Sequence, residues 1–458
     1  MNPPVALPRG AEIAVIGLAR SGSAAATLLR KHGHEVYASD AASSEPTIRC
    51  AEELSAQGIS VEIGRHDLER VGRAMLVVVS PGVPPNAPPL AFARDRGMRI
   101  VSEVEIALHF LDGPRLIAIT GTNGKTTTTA MIAHILRGLD LEAVPAGNIG
   151  TPLSEVVLRQ GQPDWIALEM SSFQLHDTPS LHPDVGVLTN LSPDHLDRYA
   201  SVGEYYEDKA RLFANADENS LWVVNGDDGL AQRMARDIAG HKFSFSLESR
   251  ADAWHDTRSG ELVALNAPLL DRAELPLLGK HNAANALAAS LAVMVADRSH
   301  QTSSARTRIA AALRTFRPLP HRLELVGEFA GVQWINDSKA TNVSSTAVAI
   351  DGMERPTVLL MGGRHKGEPY TPLTESIKKK VKMVIAYGEA APLIEKDLAT
   401  VTNFRRLGAD FGEVMLAAHA AARAGDVVLL SPACSSYDMF SNYEERGECF
   451  RTLAAGQG

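Results

Sequence analysis

The stretch TGTNGKTTTT, residues 120–129, sets two glycines, a lysine and a run of threonines directly behind the apolar run LIAI. Glycines let backbone N–H groups approach phosphate oxygens. The Lys125 ammonium can reach the outer phosphates, and the Thr126 hydroxyl is a ligand type for Mg²⁺. Gly121, Thr122, Asn123, Gly124 and Thr127 complete the loop. The common phosphate loop has a glycine where this chain has Ile119, so the loop is a shorter variant. Such a site also needs an acid for its metal. Glu169 ends DWIALEM, and Asp194 and His195 follow VGVLTNL, so each acid or imidazole stands just after a strand-like run. The plain alternatives are an exposed strand-end glutamate and a structural histidine. The apolar runs before these residues and the polar SSFQ after Glu169 favour the site.

The first glycine turn of the chain, GLARSG, comprises Gly17, Leu18, Ala19, Arg20, Ser21 and Gly22 and follows EIAVI. Ala19 replaces the middle glycine of the dinucleotide fingerprint. The turn still offers backbone N–H groups to an anion, and equally it reads as a tight strand-to-helix turn. NAD redox chemistry is the runner-up here, and the missing glycine and the downstream phosphate loop count against it. SPGVPP, starting at Ser80, is another loop behind a strand. Near the C-terminus come NDSKATN (336–342), GGRHKGE (362–368) and SPACSSYDMF (431–440). Each mixes small residues with charged or hydroxyl ones, and three together on the carboxyl side of strands imply a binding face. HRLE at 321–324 places a fixed cation at a domain boundary. Cys434 reads as a small buried residue, with no base beside it in sequence.

These loops need a scaffold. The chain has 458 residues, of which 45% are apolar and 22% charged, ordinary for globular domains. Strands alternate with helix-like stretches in three successive regions. The fold class is therefore α/β, with three domains carrying parallel sheets: Rossmann-like 1–105, a P-loop ATPase-type 106–318 and Rossmann-like 319–458. HNAANALAASLAVMVA, from residue 281, reads as a helix, and the prolines of TFRPLPHR read as a linker. Ligands of such folds sit beyond the carboxyl ends of the strands. A net charge of −9 argues against a nucleic-acid or membrane surface. Three cysteines without metal-ligand spacing, no signal-peptide pattern and no apolar run of about 18 residues point to a cytoplasmic protein.

The chain resembles the Mur ligase family over essentially its whole length. The resemblance is carried, in order, by TGTNGKTT, LEMSSFQL, NLSPDHLDRY, GKHNAANALAA, LPHRLE and NDSKATN. SPACSSYDMFSNYEERG resembles the C-terminal signature of the branch that adds D-glutamate. The resemblance implies a monomeric ligase of peptidoglycan precursor synthesis, using ATP and Mg²⁺ to join D-glutamate to UDP-N-acetylmuramoyl-L-alanine through an acyl phosphate. It implies that Lys125 is the phosphate-loop lysine, that Thr126 and Glu169 bind Mg²⁺, and that His195 binds a second ion. Lys209 falls where the family carries a carbamylated lysine. Asn282, Asn285, Arg322 and Asp337 match ATP contacts. Lys339, Thr341, Lys366, Ser436 and Tyr443 match the amino-acid pocket. The first glycine turn, Ser80, Asn148, Ser171 and Gln174 match the side that holds the UDP-sugar. The chain departs from the family at Ala41 and Ala42 near the uracil side, and at Arg364, His365 and Tyr437 on the glutamate side.

Other readings remain: a relative adding another amino acid, a P-loop switch or motor, and a nucleotide sensor without chemistry. The first glycine turn and the C-terminal loops are unnecessary for a switch, and a folate-type relative would not need the N-terminal βαβ region. Because Lys125 belongs to the second region and Arg322 and Asp337 to the third, domain closure is expected to assemble the site.

Overall fold

The computed structural model describes residue 7 and residues 10–148, 150–194 and 198–456. His195 lies outside the described residues. The first sheet has five parallel strands: β1 (Glu12–Ile16), β2 (Glu35–Asp40), β3 (Ser60–Ile63), β4 (Leu76–Val79) and β5 (Ile100–Ser102), in the order 3-2-1-4-5. Successive side chains of a strand point to opposite faces. On β1, Ile13 and Val15 enter one apolar layer, and Ala14 and Ile16 enter another. Both faces are thus covered, which is why IAVI, residues 13–16, is continuously apolar rather than alternating. The order reverses between β1 and β4, so the GLARSG turn and the SPGVPP loop flank the switch point, where ligands of open parallel sheets bind.

The second sheet has nine strands: β6 (Arg115–Thr120), β7 (Ala143–Gly147), β8 (Trp165–Glu169), β9 (Val185–Leu188), β10 (Leu221–Asn225), β11 (His241–Ser246), β12 (Ala253–Asp256), β13 (Glu261–Ala264) and β14 (Ala267–Asp271). Their order is 14-13-12-11-10-9-6-8-7. β6, which feeds the phosphate loop, lies between β8 and β9. The loop is therefore flanked by the carboxyl ends of those two strands, with Glu169 on one side and Thr189 and Asn190 on the other. The expectation of a parallel sheet fails at one edge: β12–β13 and β13–β14 are antiparallel. The connections are too short for a crossover, which needs a dozen or more residues. Leu265 and Asn266 join β13 to β14 with φ of 48° and 61°, the backbone of a two-residue hairpin turn.

The third sheet comprises β15 (Glu324–Phe329), β16 (Val332–Asn336), β17 (Thr357–Gly362), β18 (Val381–Tyr387), β19 (Asn403–Arg406) and β20 (Val427–Leu430), in the order 15-16-20-17-18-19. It is parallel except for β15, an antiparallel edge strand joined to β16 through Ala330 and Gly331, again both at positive φ. On β20, Val427 and Leu429 face one core, and Val428 and Leu430 the other. The three polar loops noted near the C-terminus follow β16, β17 and β20. The helix predicted from residue 281 spans Lys280–Ala296.

The chain forms two compact units. One is Met1–Leu191 with Gly203–Asp271 and Asn285–Leu313; the other is Ser192–Val202 with Arg272–Ala284 and Arg314–Gly458. The first unit holds the first two sheets and the second unit holds the third. Among the described residues, no helix is long and apolar enough to cross a membrane.

Within the first unit, the helix Glu103–Phe110 joins the first sheet to the second through two buried glutamates. Glu105 Oε2 accepts from the Ser180 N–H at 3.1 Å and its hydroxyl at 2.8 Å, and Glu103 Oε1 accepts from the Ser154 N–H at 2.5 Å. Burial pushes the Glu103 carboxyl up to about 7, against the hydrogen bonds from Ser154 that pull it down. The folded state thus holds this proton more tightly than the unfolded chain, whose glutamate titrates near 4.5. Stability is expected to fall as pH rises from about 4.5 to about 7, and to level off above that, with a contribution of a few kcal/mol from this group. Glu103→Gln keeps an acceptor for Ser154 and should lose less stability than wild type between pH 5 and pH 8 in urea unfolding. Equal losses in the two proteins would contradict the assignment. Asp337, also raised to about 7, adds a slope of the same sign in the other unit, so the difference between the proteins is the quantity to read.

Candidate active site

The phosphate loop is held from below. The Thr122 N–H donates to the Asn190 carbonyl at 2.8 Å, and the Asn123 N–H donates to Asn190 Oδ1 at 2.9 Å. Thr189 Oγ1 donates to the Asn123 carbonyl at 2.6 Å. Gly121 has φ 143° and a Cβ there would run into the Thr189 hydroxyl; Gly124 has φ 81° and a Cβ would run into Asn285 Oδ1. A side chain at either position would be strained. Gly124 caps the helix Lys125–Gly138, so this helix aims its first N–H groups at whatever the loop holds. Lys125 Nζ donates to the carbonyls of Gly121 (2.8 Å) and Thr122 (2.7 Å), and Thr126 and Thr127 are buried in the first turn. Thr128 Oγ1 donates to Asn285 Oδ1 at 3.3 Å, which ties that asparagine to the helix.

Glu169 is 2% exposed. Its Oε1 accepts from Asn148 Nδ2 at 2.9 Å, while its Oε2 is buried without a hydrogen-bond donor. A buried carboxylate oxygen left without a donor is costly unless a cation takes it. The Thr126 hydroxyl, in the first turn of the helix Lys125–Gly138, would add a second oxygen, the donor type Mg²⁺ takes. Among the described residues, no cluster of three or more His, Cys, Asp or Glu side chains is placed to hold a metal. Lys209, on the helix Val202–Ala210, is 1% exposed. Its Nζ donates to the Gly121 carbonyl at 2.7 Å and lies 4.6 Å from the centre of the Tyr205 ring. A solvated helix lysine, which is what its sequence context alone reads as, is not what the fold makes of it.

In the same unit, Ser171 caps the helix Ser172–His176 in a reciprocal box with Gln174, whose Nε2 is buried without an acceptor. At the first glycine turn the Leu18 N–H donates to Asp40 Oδ2 at 2.7 Å, and the Ser80 hydroxyl donates to the Gly17 carbonyl at 2.9 Å. Ala19 is the N-cap residue of the helix Arg20–Lys31 and Ser21 lies in its first turn. Arg20 is paired with Glu155 at 2.7 Å and donates to the Gly150 carbonyl at 2.5 Å.

In the second unit, Asp337 follows β16. Its Oδ1 accepts from the Leu323 N–H at 3.2 Å and its Oδ2 from the Ser431 hydroxyl at 2.9 Å. Burial raises its carboxyl to about 7, partly offset by these bonds and by the Arg322 charge. Lys339 Nζ stands 3.6 Å over the Tyr443 ring. Lys366 pairs with Asp194 at 3.0 Å, and Asp194 also accepts from Asn342 Nδ2 at 2.9 Å. Thr341 immediately precedes Asn342, the cap of the helix Val343–Asp351. Asn282 Nδ2 donates to the Leu278 carbonyl at 2.7 Å, and Ser436 is buried in the loop after β20.

Four features escaped the sequence reading. Thr189 and Asn190 clamp the phosphate loop; their polar TN behind VGVL was the available signal. Tyr205 backs Lys209 and lies 3.2 Å from Thr122 Oγ1. Asp194 groups with Lys366, in the unit that does not contain the phosphate loop. Arg446 is fully buried and donates to Ser338 Oγ (3.0 Å) and to the carbonyls of Ser338 (2.8 Å), Cys434 (3.2 Å), Gly362 (3.3 Å) and Ser435 (3.4 Å). It sits under all three C-terminal loops, and nothing local in NYEERGE marks it.

Three family models match this arrangement: the Mur ligase middle domain over residues 119–293, the Mur ligase glutamate ligase domain over 321–434 and the MurD-like N-terminal domain over 11–102. The chain belongs to the Mur ligase family. A relative from Acidobacterium capsulatum, named UDP-N-acetylmuramoylalanine–D-glutamate ligase, is 40% identical over 97% of this chain and 96% of its own length. One of the same name from Cytophaga hutchinsonii is 38% identical over 96% and 98%. Among solved structures, a UDP-N-acetylmuramate–alanine ligase from Thermotoga maritima superposes with a TM-score of 0.61 at 19% identity, covering 97% of this chain and all of the other. The MurF ligase of that organism, in complex with ADP, gives 0.60 at 17%, covering 92% and 94%. At such identities these structures bear on the Mur ligase fold alone.

Proposed function

We propose that this Mur ligase joins D-glutamate to UDP-N-acetylmuramoyl-L-alanine at the expense of ATP, in cytoplasmic peptidoglycan precursor synthesis. The observation that carries the reading is the phosphate loop clamped beside the buried, half-partnered Glu169, within a chain nearly 40% identical end to end to ligases of that name. A carboxylate is a poor electrophile. Phosphorylation turns one of its oxygens into a leaving group; the amine then attacks the acyl phosphate, and the tetrahedral intermediate expels phosphate to leave an amide.

The residues divide the work. Lys125, the loop N–H groups and the helix start behind Gly124 neutralise and orient the phosphates, so rate comes from positioning and charge. Glu169 and Thr126 would hold Mg²⁺, with His195 holding a second ion, and Mg²⁺ there supplies charge neutralisation and a template for phosphoryl oxygens. Lys209, carbamylated, offers a carboxylate in place of an ammonium; a carbamate keeps one N–H, so the bond to Gly121 survives. Asn282, Asn285, Arg322 and Asp337 contact ATP. The first glycine turn, Ser80, Asn148, Ser171 and Gln174 hold the UDP-sugar in residues 1–105 and the adjoining part of 106–318. Lys339, Thr341, Lys366, Ser436 and Tyr443, in 319–458, hold the amino acid, and the enzyme works as a monomer.

With ATP, UDP-N-acetylmuramoyl-L-alanine and D-glutamate all present, phosphate release is expected to follow amide formation one to one and to rise on adding bicarbonate if Lys209 is carbamylated. Release that ignores the amino acid would sink the ligase reading in favour of a nucleotide switch. L-glutamate supporting the same rate would overturn the D-specific assignment, and indifference to bicarbonate would remove the carbamate.

A further inference from the structure

The loop that follows β17 carries Lys366, and both ends of it are pinned. At one end Arg364 and Ser435 exchange backbone hydrogen bonds in both directions, at 2.9 and 3.1 Å. At the other end the Tyr370 N–H donates to the Asp397 carboxylate at 2.9 Å. Between them runs a side-chain relay. His365 Nδ1 lies 2.9 Å from the Tyr370 hydroxyl, and that hydroxyl lies 3.0 Å from Cys434 Sγ in the loop after β20. The Tyr370 ring is 1% exposed and Cys434 is fully buried. Burial pushes the Cys434 thiol up to about 12 and the Tyr370 hydroxyl higher still, so both keep their protons at neutral pH. The thiol is therefore an anchor and not a nucleophile. Arg446 fixes the Cys434 carbonyl from behind.

We propose that His365 is a positioning residue for the amino-acid substrate: through Tyr370 and Cys434 it braces the backbone on both sides of Lys366 and so holds that ammonium at one point. A lysine is a point charge on a flexible stem. On an unbraced loop the ordering cost would fall on substrate binding; on a braced one it is already met in the fold. Gly367, at φ 89°, makes the turn that returns the chain to Tyr370. The proposal rests on the reading of Lys366 as an amino-acid contact.

The test compares wild type with His365→Ala, Tyr370→Phe and His365→Asn, the last retaining a polar group near the place of Nδ1. The first two variants should raise the KM for D-glutamate about tenfold, one lost hydrogen bond's worth. The KM values for ATP and the UDP-linked acid should stay near wild type, and the melting temperature should fall by no more than about 2–4 °C. His365→Asn should recover most of the loss. An unchanged KM for glutamate, or three KM values rising together, overturns the brace. Hydrogen exchange across residues 362–370 gives a readout independent of turnover, and protection should drop in the Ala and Phe variants. A wild type without glutamate-dependent turnover, combined with that drop, sinks the ligase reading and keeps the brace. Unchanged protection overturns the brace whatever the kinetics.

Discussion

Glu169→Gln is expected to lower kcat about 10³-fold while leaving the fold as stable as wild type. The two halves of this result have one cause. Glu169 is buried at the end of β8, yet only one of its oxygens has a donor, from Asn148. As a purely structural group that arrangement costs about 1–3 kcal/mol for the orphaned oxygen. As a metal ligand the same oxygen is an asset, because removing a charge-stabilising contact from a phosphoryl-transfer site costs about 10²–10³-fold in rate. Glutamine keeps an acceptor for Asn148 and removes the buried charge, so stability should hold or rise slightly in the absence of Mg²⁺. Phosphate release measured against Mg²⁺ concentration, with melting curves alongside, tests both halves. A variant with near-normal kcat and an unchanged Mg²⁺ requirement would remove Glu169 from the metal site.

Arg446→Met is expected to destabilise the second unit by about 3–5 kcal/mol, and Arg446→Lys by a large part of that. Exchanging a buried ion pair for apolar residues is often harmless, because both partners leave together. Here that escape is closed. Four of the five acceptors are backbone carbonyls, which stay behind whatever replaces the arginine; that of Ser435 keeps the Arg364 N–H, but those of Ser338, Cys434 and Gly362 are buried, each costing about 1–3 kcal/mol if left unpaired. Lysine restores the charge but not the planar fork, so it cannot reach loops after three different strands at once. Calorimetry should show a drop of roughly 10 °C for the methionine variant. The lysine variant melting with wild type would mean that charge alone suffices.

The sheets were legible in the sequence because both of their faces are buried, so strand runs such as IAVI and VVLL are continuously apolar and bounded by polar residues or glycine loops. The glycine loop stood out in the sequence because Gly121 and Gly124 lie at positive φ against Thr189 and Asn285, where a side chain would be strained. What stayed hidden was set by chain segments far apart in sequence. Asp194 reads as a neighbour of the phosphate loop and in the fold pairs with Lys366, 172 residues later. Lys209 reads as a surface residue because the Gly121 carbonyl that its ammonium meets lies 88 residues away in sequence. The antiparallel edge of the second sheet was missed because its hairpin turn is Leu-Asn, not a glycine pair.

The way the two units share the chain limits how the protein can be made or cut. Ser192–Val202 and Arg272–Ala284 leave the run of the first unit to join the second, so the polypeptide changes unit four times before Arg314. A C-terminal fragment begun at residue 319 would carry Lys366 without Asp194. On the ribosome, the first unit lacks its last piece until Leu313 has emerged, and the second then receives most of its mass in one uninterrupted stretch. Vectorial synthesis thus imposes an order of completion that refolding from denaturant does not, and no single cleavage point releases two self-sufficient modules.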